Sequence, residues 1–82
     1  MLFDLFERGD RRWLVVPSIT RAPASLTREG PLARLGTVTL HFNRLTDELA
    51  LAIARRGYGV AQPDDERRFR DLLRQAGAMP QP

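Results

Sequence analysis

The feature that most constrains the fold is an alternating run, Thr37-Val38-Thr39-Leu40-His41-Phe42, followed by two segments with helical spacing. A period of two places Val38, Leu40 and Phe42 on one face of a strand and polar residues on the other. A strand followed by two helices cannot bury that apolar face without help. The β-α-α unit therefore needs a partner, which is either the first 36 residues or a second copy of the chain.

Both helical segments carry local start and stop signals. Thr46 suits the N-cap of a first helix over 46–56, and Gly57 suits its termination. Pro63 suits the first position of a second helix over 63–76, because its backbone angle is already helical and its missing N–H would have no partner there. The second helix has an apolar stripe at positions i, i+3, i+4 and i+7, formed by Phe69, Leu72, Leu73 and Ala76.

The first half of the chain has a weaker pattern. Trp13-Leu14-Val15-Val16 predicts a buried strand over 13–16, which Pro17 ends because proline has no backbone donor. The apolar residues of 1–12 are expected to form a flap, with one helical turn docked on the core. A long loop follows over 18–30, and a frayed tail is expected over 78–82.

These elements together predict one small domain over residues 1–82. Its class is α+β: a two-stranded antiparallel sheet, made of strands 13–16 and 37–42, is covered by the two C-terminal helices 46–56 and 63–76. A core in a chain of 82 residues supplies only about 3–5 kcal/mol without a staple or a partner.

The charge composition argues against a strongly basic, nucleic-acid-binding surface. All thirteen cationic side chains are arginine, which stays protonated far into the alkaline range, so a formal net charge of only +3 gives an isoelectric point near 11.0. An arginine-only repertoire is typical of a GC-rich genome, and we take the chain to be bacterial. The sequence has no cysteine, which excludes disulfides and thiolate metal sites.

The first residues do not resemble a secretory signal, because Asp4 and Glu7 interrupt a short apolar stretch that has no basic start. No run approaches the ~20 apolar residues that a membrane helix needs. We therefore expect a cytoplasmic protein that does not contact a membrane.

The sequence predicts no enzyme, no cofactor and no metal site. His41 is the only histidine, and neither a triad nor a set of metal ligands surrounds it in the sequence. The acidic clusters Asp47-Glu48 and Asp64-Asp65-Glu66 lie at expected helix starts, where the helix dipole favours negative charge. Their positions are explained without an active site.

The order of an alternating strand, the helix opening Leu45-Thr46-Asp47-Glu48-Leu49, a glycine-containing turn and a second helix resembles the ribbon-helix-helix family of bacterial DNA-binding repressors. The resemblance covers residues 37–77. It implies a dimer whose paired strands enter the DNA major groove. The DNA-binding side chains would then be Thr39, His41, Asn43 and Arg44.

The favoured hypothesis is instead a small accessory or regulatory protein that binds another protein. The start of the second helix, Asp64-Asp65-Glu66, carries three carboxylates where the resemblance requires DNA phosphate. Arginine binds carboxylates through its planar fork, so an acidic protein suits the contact residues, for which we name Arg67, Arg70, Arg74 and Tyr58. Tyr58 lies between two glycines and is expected either to be exposed or to cap the core. Self-association is expected under both hypotheses, because a small core gains from further burial.

Overall fold

A computed structural model of the chain describes residues 1–19 and 28–75. Most of the predicted loop 18–30 and the whole predicted tail 78–82 lie outside these residues. The elements, in chain order, are β1 (Leu2–Arg8), β2 (Trp13–Pro17), β3 (Leu32–Thr39), a 3₁₀ turn (Phe42–Arg44), α1 (Asp47–Arg56), β4 (Gly59–Val60) and α2 (Pro63–Gln75).

The sheet has four antiparallel strands in the order β3-β1-β2-β4, so the predicted two-stranded sheet is wrong. The strands expected to pair, over 13–16 and 37–42, are not neighbours, because β1 lies between them. Phe3 pairs with Pro17 on one side and with Val38 on the other. The α+β class stands, but the centre of the sheet is a segment that the sequence assigned to a flap.

The predicted flap over 1–12 is instead the strand β1 and its turn into β2. Phe3 and Leu5 point to one face of the sheet and are fully buried against the helices. Phe6 points to the opposite face and packs on a second apolar cluster. Successive side chains of a strand point to opposite faces of the sheet. Apolar residues at both odd and even positions therefore indicate a strand that is buried on both sides.

The strand predicted over 37–42 is displaced toward the N-terminus. β3 begins at Leu32 and ends at Thr39, and its pairing with β1 shifts by one residue at a bulge beside Gly36. Gly36 has φ 150°, a backbone angle that residues with side chains rarely adopt. Leu40 lies one residue past the end of β3, still bonded through its N–H to the Met1 oxygen, and Phe42, expected in the core, is 37% exposed in the 3₁₀ turn.

The two helices are confirmed where the structure describes them. Thr46 caps α1 by accepting a hydrogen bond from the Leu49 N–H, and Gly57 ends that helix with φ 85°. α2 starts at Pro63 as expected. Local capping chemistry places both helices correctly because it does not depend on which strands pair.

Both helices cover one face of the sheet and form the main core. Phe69 of α2 meets Phe3 edge-on, with ring centroids 6.2 Å apart. On the opposite face a smaller cluster joins Leu14, Val16 and Tyr58. Within residues 1–19 and 28–75, no helix is both long enough and apolar enough to cross a membrane.

Candidate functional site

A groove lies between α2 and the segment that leads from β3 into α1. Its volume is about 640 Å³, which lies in the range of sites that hold small ligands or side chains of a partner. The lining residues are Leu40, Arg44, Leu45, Thr46, Asp64, Asp65, Arg67, Arg68, Asp71, Leu72 and Gln75. We call this cavity the α2 groove.

One buried carboxylate fixes the end of the α2 groove where the two helices start. Asp65 is 2% exposed and accepts hydrogen bonds from the Thr46 N–H (2.9 Å), the Thr46 hydroxyl (2.6 Å) and the Gln62 N–H (3.1 Å). The bond from Gln62 is half of a capping box for α2, while the other two hold the N-cap of α1. Asp65 therefore joins the starts of both helices, and its oxygens are used by the fold.

Arginines gather along the rim of the α2 groove. The Arg68 guanidinium donates to the backbone oxygen of Arg44, which ties α2 to the 3₁₀ turn. Arg44, Arg67 and Arg68 form no ion pair with any described carboxylate. Three guanidinium groups thus line one rim without a carboxylate partner among the described residues.

The remaining charges of the α2 groove are two exposed aspartates. Asp71 lies 3.8 Å from the Arg74 guanidinium, so a residue outside the groove partly neutralises it. Asp64 forms no ion pair within the described part of the chain. Leu40 and Leu72 are half-buried and pack against the main core, so they give the groove an apolar floor.

The three predicted contact arginines lie in different environments. Arg67 lines the α2 groove. Arg70 lies over the Trp13 ring, 5.3 Å from its centroid, and Arg74 pairs with Asp71. All three are exposed along α2, but only Arg67 faces the groove.

Tyr58 is not in an exposed turn. It is 3% exposed and belongs to the apolar cluster on the second face of the sheet, with its hydroxyl donating to Glu29 at 2.9 Å. Arg56 lies over its ring, 4.9 Å from the centroid. The alternative that Tyr58 caps the core matches this placement, and we leave Tyr58 out of the contact surface.

A chain of charges connects Tyr58 to the turn between β1 and β2. Arg8 donates to Glu29 at 2.6 Å and to Asp10 at 2.7 and 2.9 Å. The Arg8 hydrogen bonds lower the pKa of Asp10 to about 2 and, together with the Tyr58 hydroxyl, hold the pKa of Glu29 below its usual value. The same two carboxylates raise the pKa of Arg8. These groups are bonded to one another and anchor Glu29 to the sheet.

The residues named for DNA binding lie together at the end of β3. Thr39 ends the strand, His41 follows it, and Asn43 and Arg44 belong to the 3₁₀ turn. All four are exposed. Arg44 therefore belongs both to this segment and to the lining of the α2 groove.

The α2 groove contains residues that the sequence did not single out. Leu40 and Leu72 were expected only in an apolar core, and Arg44 was named only for DNA. Helical spacing places Asp64, Arg68 and Asp71 on one side of α2. This periodicity was the signal from which that side of the groove could have been predicted. Nothing local to the sequence shows that Arg44 lies opposite that side.

The described residues contain no group of three or more histidine, aspartate or glutamate side chains arranged to hold a metal ion. The α2 groove offers a ligand guanidinium groups at its rim and an apolar floor. Comparison with protein-family models, with curated proteins and with solved structures found no significant match to this chain.

Proposed function

We propose that this chain is a small, non-enzymatic, cytoplasmic accessory or regulatory protein that binds an acidic segment of another protein in the α2 groove. The observation that carries the proposal is the set of three arginines on the groove rim, Arg44, Arg67 and Arg68, without carboxylate partners among the described residues. A partner that supplies carboxylates would complete this arrangement.

The arginine side chains suit a carboxylate ligand for geometric reasons. A guanidinium group is planar, always charged and weakly hydrated, and it binds a carboxylate through two parallel hydrogen bonds. Arg44 and Arg67 have no side-chain hydrogen bond within residues 1–19 and 28–75, so both can turn toward a ligand. Arg68 is already held by the backbone of Arg44 and offers its remaining N–H groups in a fixed position.

The floor of the groove indicates that the bound segment is also apolar. Leu40 and Leu72 keep part of their surface exposed, and covering apolar surface contributes about 25 cal/mol per Å². The best fit is an amphipathic segment that places leucine-like side chains on the floor and glutamate or aspartate at the rim. Asp64 and Asp71 would repel a segment whose carboxylates are in the wrong register, which adds specificity.

The test uses charge reversal inside and outside the groove. The probe is a synthetic amphipathic helix with leucine on one face and glutamate on the other. Fluorescence anisotropy measures its affinity for the protein. We expect Arg67→Glu to weaken binding at least about tenfold, because it removes one charge-assisted bond and adds a repulsive carboxylate. Arg55→Glu is the matched control: it changes the net charge equally on α1, away from the groove.

Equal losses for Arg67→Glu and Arg55→Glu would show non-specific attraction and contradict the proposal. Absence of binding to the unsubstituted protein would contradict it as well. Urea unfolding of each variant checks that the fold is kept.

DNA binding in the manner of the ribbon-helix-helix family is a second candidate function. The observation in its favour is that Thr39, His41, Asn43 and Arg44 are all exposed and fall within residues 39–44, at and just after the end of β3. In mobility-shift assays at ~50 mM salt, where phosphate contacts are strong, Thr39→Ala and His41→Ala would lose sequence preference. No shift of any duplex at micromolar protein would remove this candidate.

A further inference from the structure

β3 is a long strand at one edge of the sheet. It has eight residues, it pairs with β1, and no described strand pairs with its other side. An exposed edge presents unpaired backbone N–H and C=O groups, and such edges bind another strand unless something blocks them.

One hydrogen bond shows which backbone groups of β3 point outward. The Leu40 N–H donates to the Met1 oxygen across the β1–β3 pair. Since backbone groups along an antiparallel strand alternate in direction, Val38 also points to β1, where it is opposite Phe3. Thr37 and Thr39 therefore point their N–H and C=O groups away from the sheet.

The stretch from Thr37 to Thr39 lacks the usual protection of an edge strand. The bulge beside Gly36 and the charged Arg34 protect only the earlier half of β3. Asp4 partly offsets the charge of Arg34, whose guanidinium lies 3.4 Å from that carboxylate and donates to the Thr37 hydroxyl at 2.8 Å. No like charges would meet if two such stretches approached each other.

We propose that a second copy of this chain pairs with β3 through residues 37–39, in an antiparallel arrangement with the two-fold axis at Val38. Thr37 then exchanges backbone hydrogen bonds with Thr39 of the partner subunit, and Thr39 with the partner's Thr37. The two four-stranded sheets become one sheet of eight strands. This differs from a ribbon of two isolated strands, because each β3 keeps its pairing with β1.

Two features of the chain favour its own copy as the occupant. Identical antiparallel strands form an isologous interface, in which the same groups satisfy each other on both sides of the axis. In this register Leu40 lies opposite Gly36 of the partner subunit, which has no side chain to collide with it. The interface also leaves Arg67 and Arg68 of the α2 groove out of the strand pairing.

Amide hydrogen exchange tests the proposed surface directly. We expect the amides of Thr37 and Thr39 to exchange more slowly as the protein concentration rises, while the Val38 amide stays protected at all concentrations. Rapid exchange of Thr37 and Thr39 at every concentration would overturn the proposal.

Proline substitution supplies a second, independent test. Thr39→Pro removes the outward N–H but leaves the β1–β3 hydrogen bonds in place. The mass measured by sedimentation equilibrium should therefore fall from that of a dimer to that of a monomer, 9.3 kDa. Thr39→Val keeps the N–H and should remain dimeric. A folded Thr39→Pro variant that stays dimeric, or an unsubstituted chain that is monomeric at all concentrations, would show that β3 is not the interface.

Discussion

A single buried carboxylate, Asp65, positions the end of the α2 groove where both helices begin. It is one of three consecutive acidic residues at the start of α2, yet it alone is buried and accepts three hydrogen bonds. Its two neighbours, Asp64 and Glu66, interact with the helix dipole and solvent. The same residue type in one short run therefore has two physical roles.

Replacing Asp65 should destabilise the fold far more than replacing Asp64. Asp65→Ala leaves two backbone donors and the Thr46 hydroxyl without an acceptor, and we expect the free energy of unfolding to fall by about 3 kcal/mol. Asp64→Ala, which loses only a favourable dipole interaction, should cost ~0.3–1 kcal/mol. Urea unfolding measures both, and equal losses would contradict the role assigned to Asp65.

The charge chain through Glu29 predicts that acid weakens the fold. The Arg8 and Tyr58 hydrogen bonds hold the pKa of Glu29 below 4.5, so the unfolded state binds the proton more readily than the folded state. Stability that Glu29 contributes above pH 4.5 is therefore lost as the pH falls through its folded pKa. Asp10, with a pKa of about 2, extends the loss to lower pH.

Substitutions separate the contribution of Glu29 from general acid unfolding. Glu29→Gln should lower stability at neutral pH and reduce its dependence on pH below 4.5, as followed by urea midpoints. Glu7→Gln is the control, because Glu7 forms no described ion pair, and its pH profile should parallel that of the unsubstituted chain. An unchanged profile for Glu29→Gln would contradict the predicted linkage.

At the scale of elements, the sequence identified those whose signals are local. Thr46 and Gly57 bound α1, and Pro63 starts α2, because caps and terminators act within a few residues. β1 was missed because Leu2, Leu5 and Phe6 imitate helical spacing when both faces of a strand are buried. The two-residue strand β4 has no local signal at all and exists through its pairing with β2.

The candidate site was predictable only in part, because only some of its residues are placed by local signals. Arg67 could be placed on an exposed face of α2 from its spacing. The approach of Arg44 to Arg68 depends on how the 3₁₀ turn packs against α2, which follows from the whole sheet order. Tyr58 was open to two interpretations because the second apolar face of the sheet is assembled from three distant segments.

The contact between β4 and α1 provides a test at this scale. A Cβ added at Gly59 would lie 2.7 Å from Leu49 Cδ1 and 2.9 Å from the Ala52 Cβ, too close without a shift of the helix. We expect Gly59→Ala to lower the free energy of unfolding by about 1–3 kcal/mol through overpacking. Gly9→Ala, where no atom lies within 4 Å, should be neutral or stabilise by up to ~1 kcal/mol. A neutral Gly59→Ala would show that α1 is not held closely against β4.

On the scale of the whole molecule, the fold depends on its first strand. β1 lies between β3 and β2 and contributes Phe3 and Leu5 to the main core and Phe6 to the second cluster. A chain of 82 residues has a total stability of about 4–12 kcal/mol. The free energy lost with one central contact is therefore a large fraction of the total stability.

Substitutions at two leucines of β1 should therefore differ strongly in their cost to stability. Leu5→Ala empties a fully buried position at the centre of the sheet and should cost about 2–5 kcal/mol. Leu2→Ala removes the same atoms from a side chain that is 46% exposed and should cost less than about 1 kcal/mol. Circular dichroism during urea unfolding distinguishes the two. A docked flap would make both substitutions mild, whereas a central strand makes Leu5→Ala lower the urea midpoint much more than Leu2→Ala does.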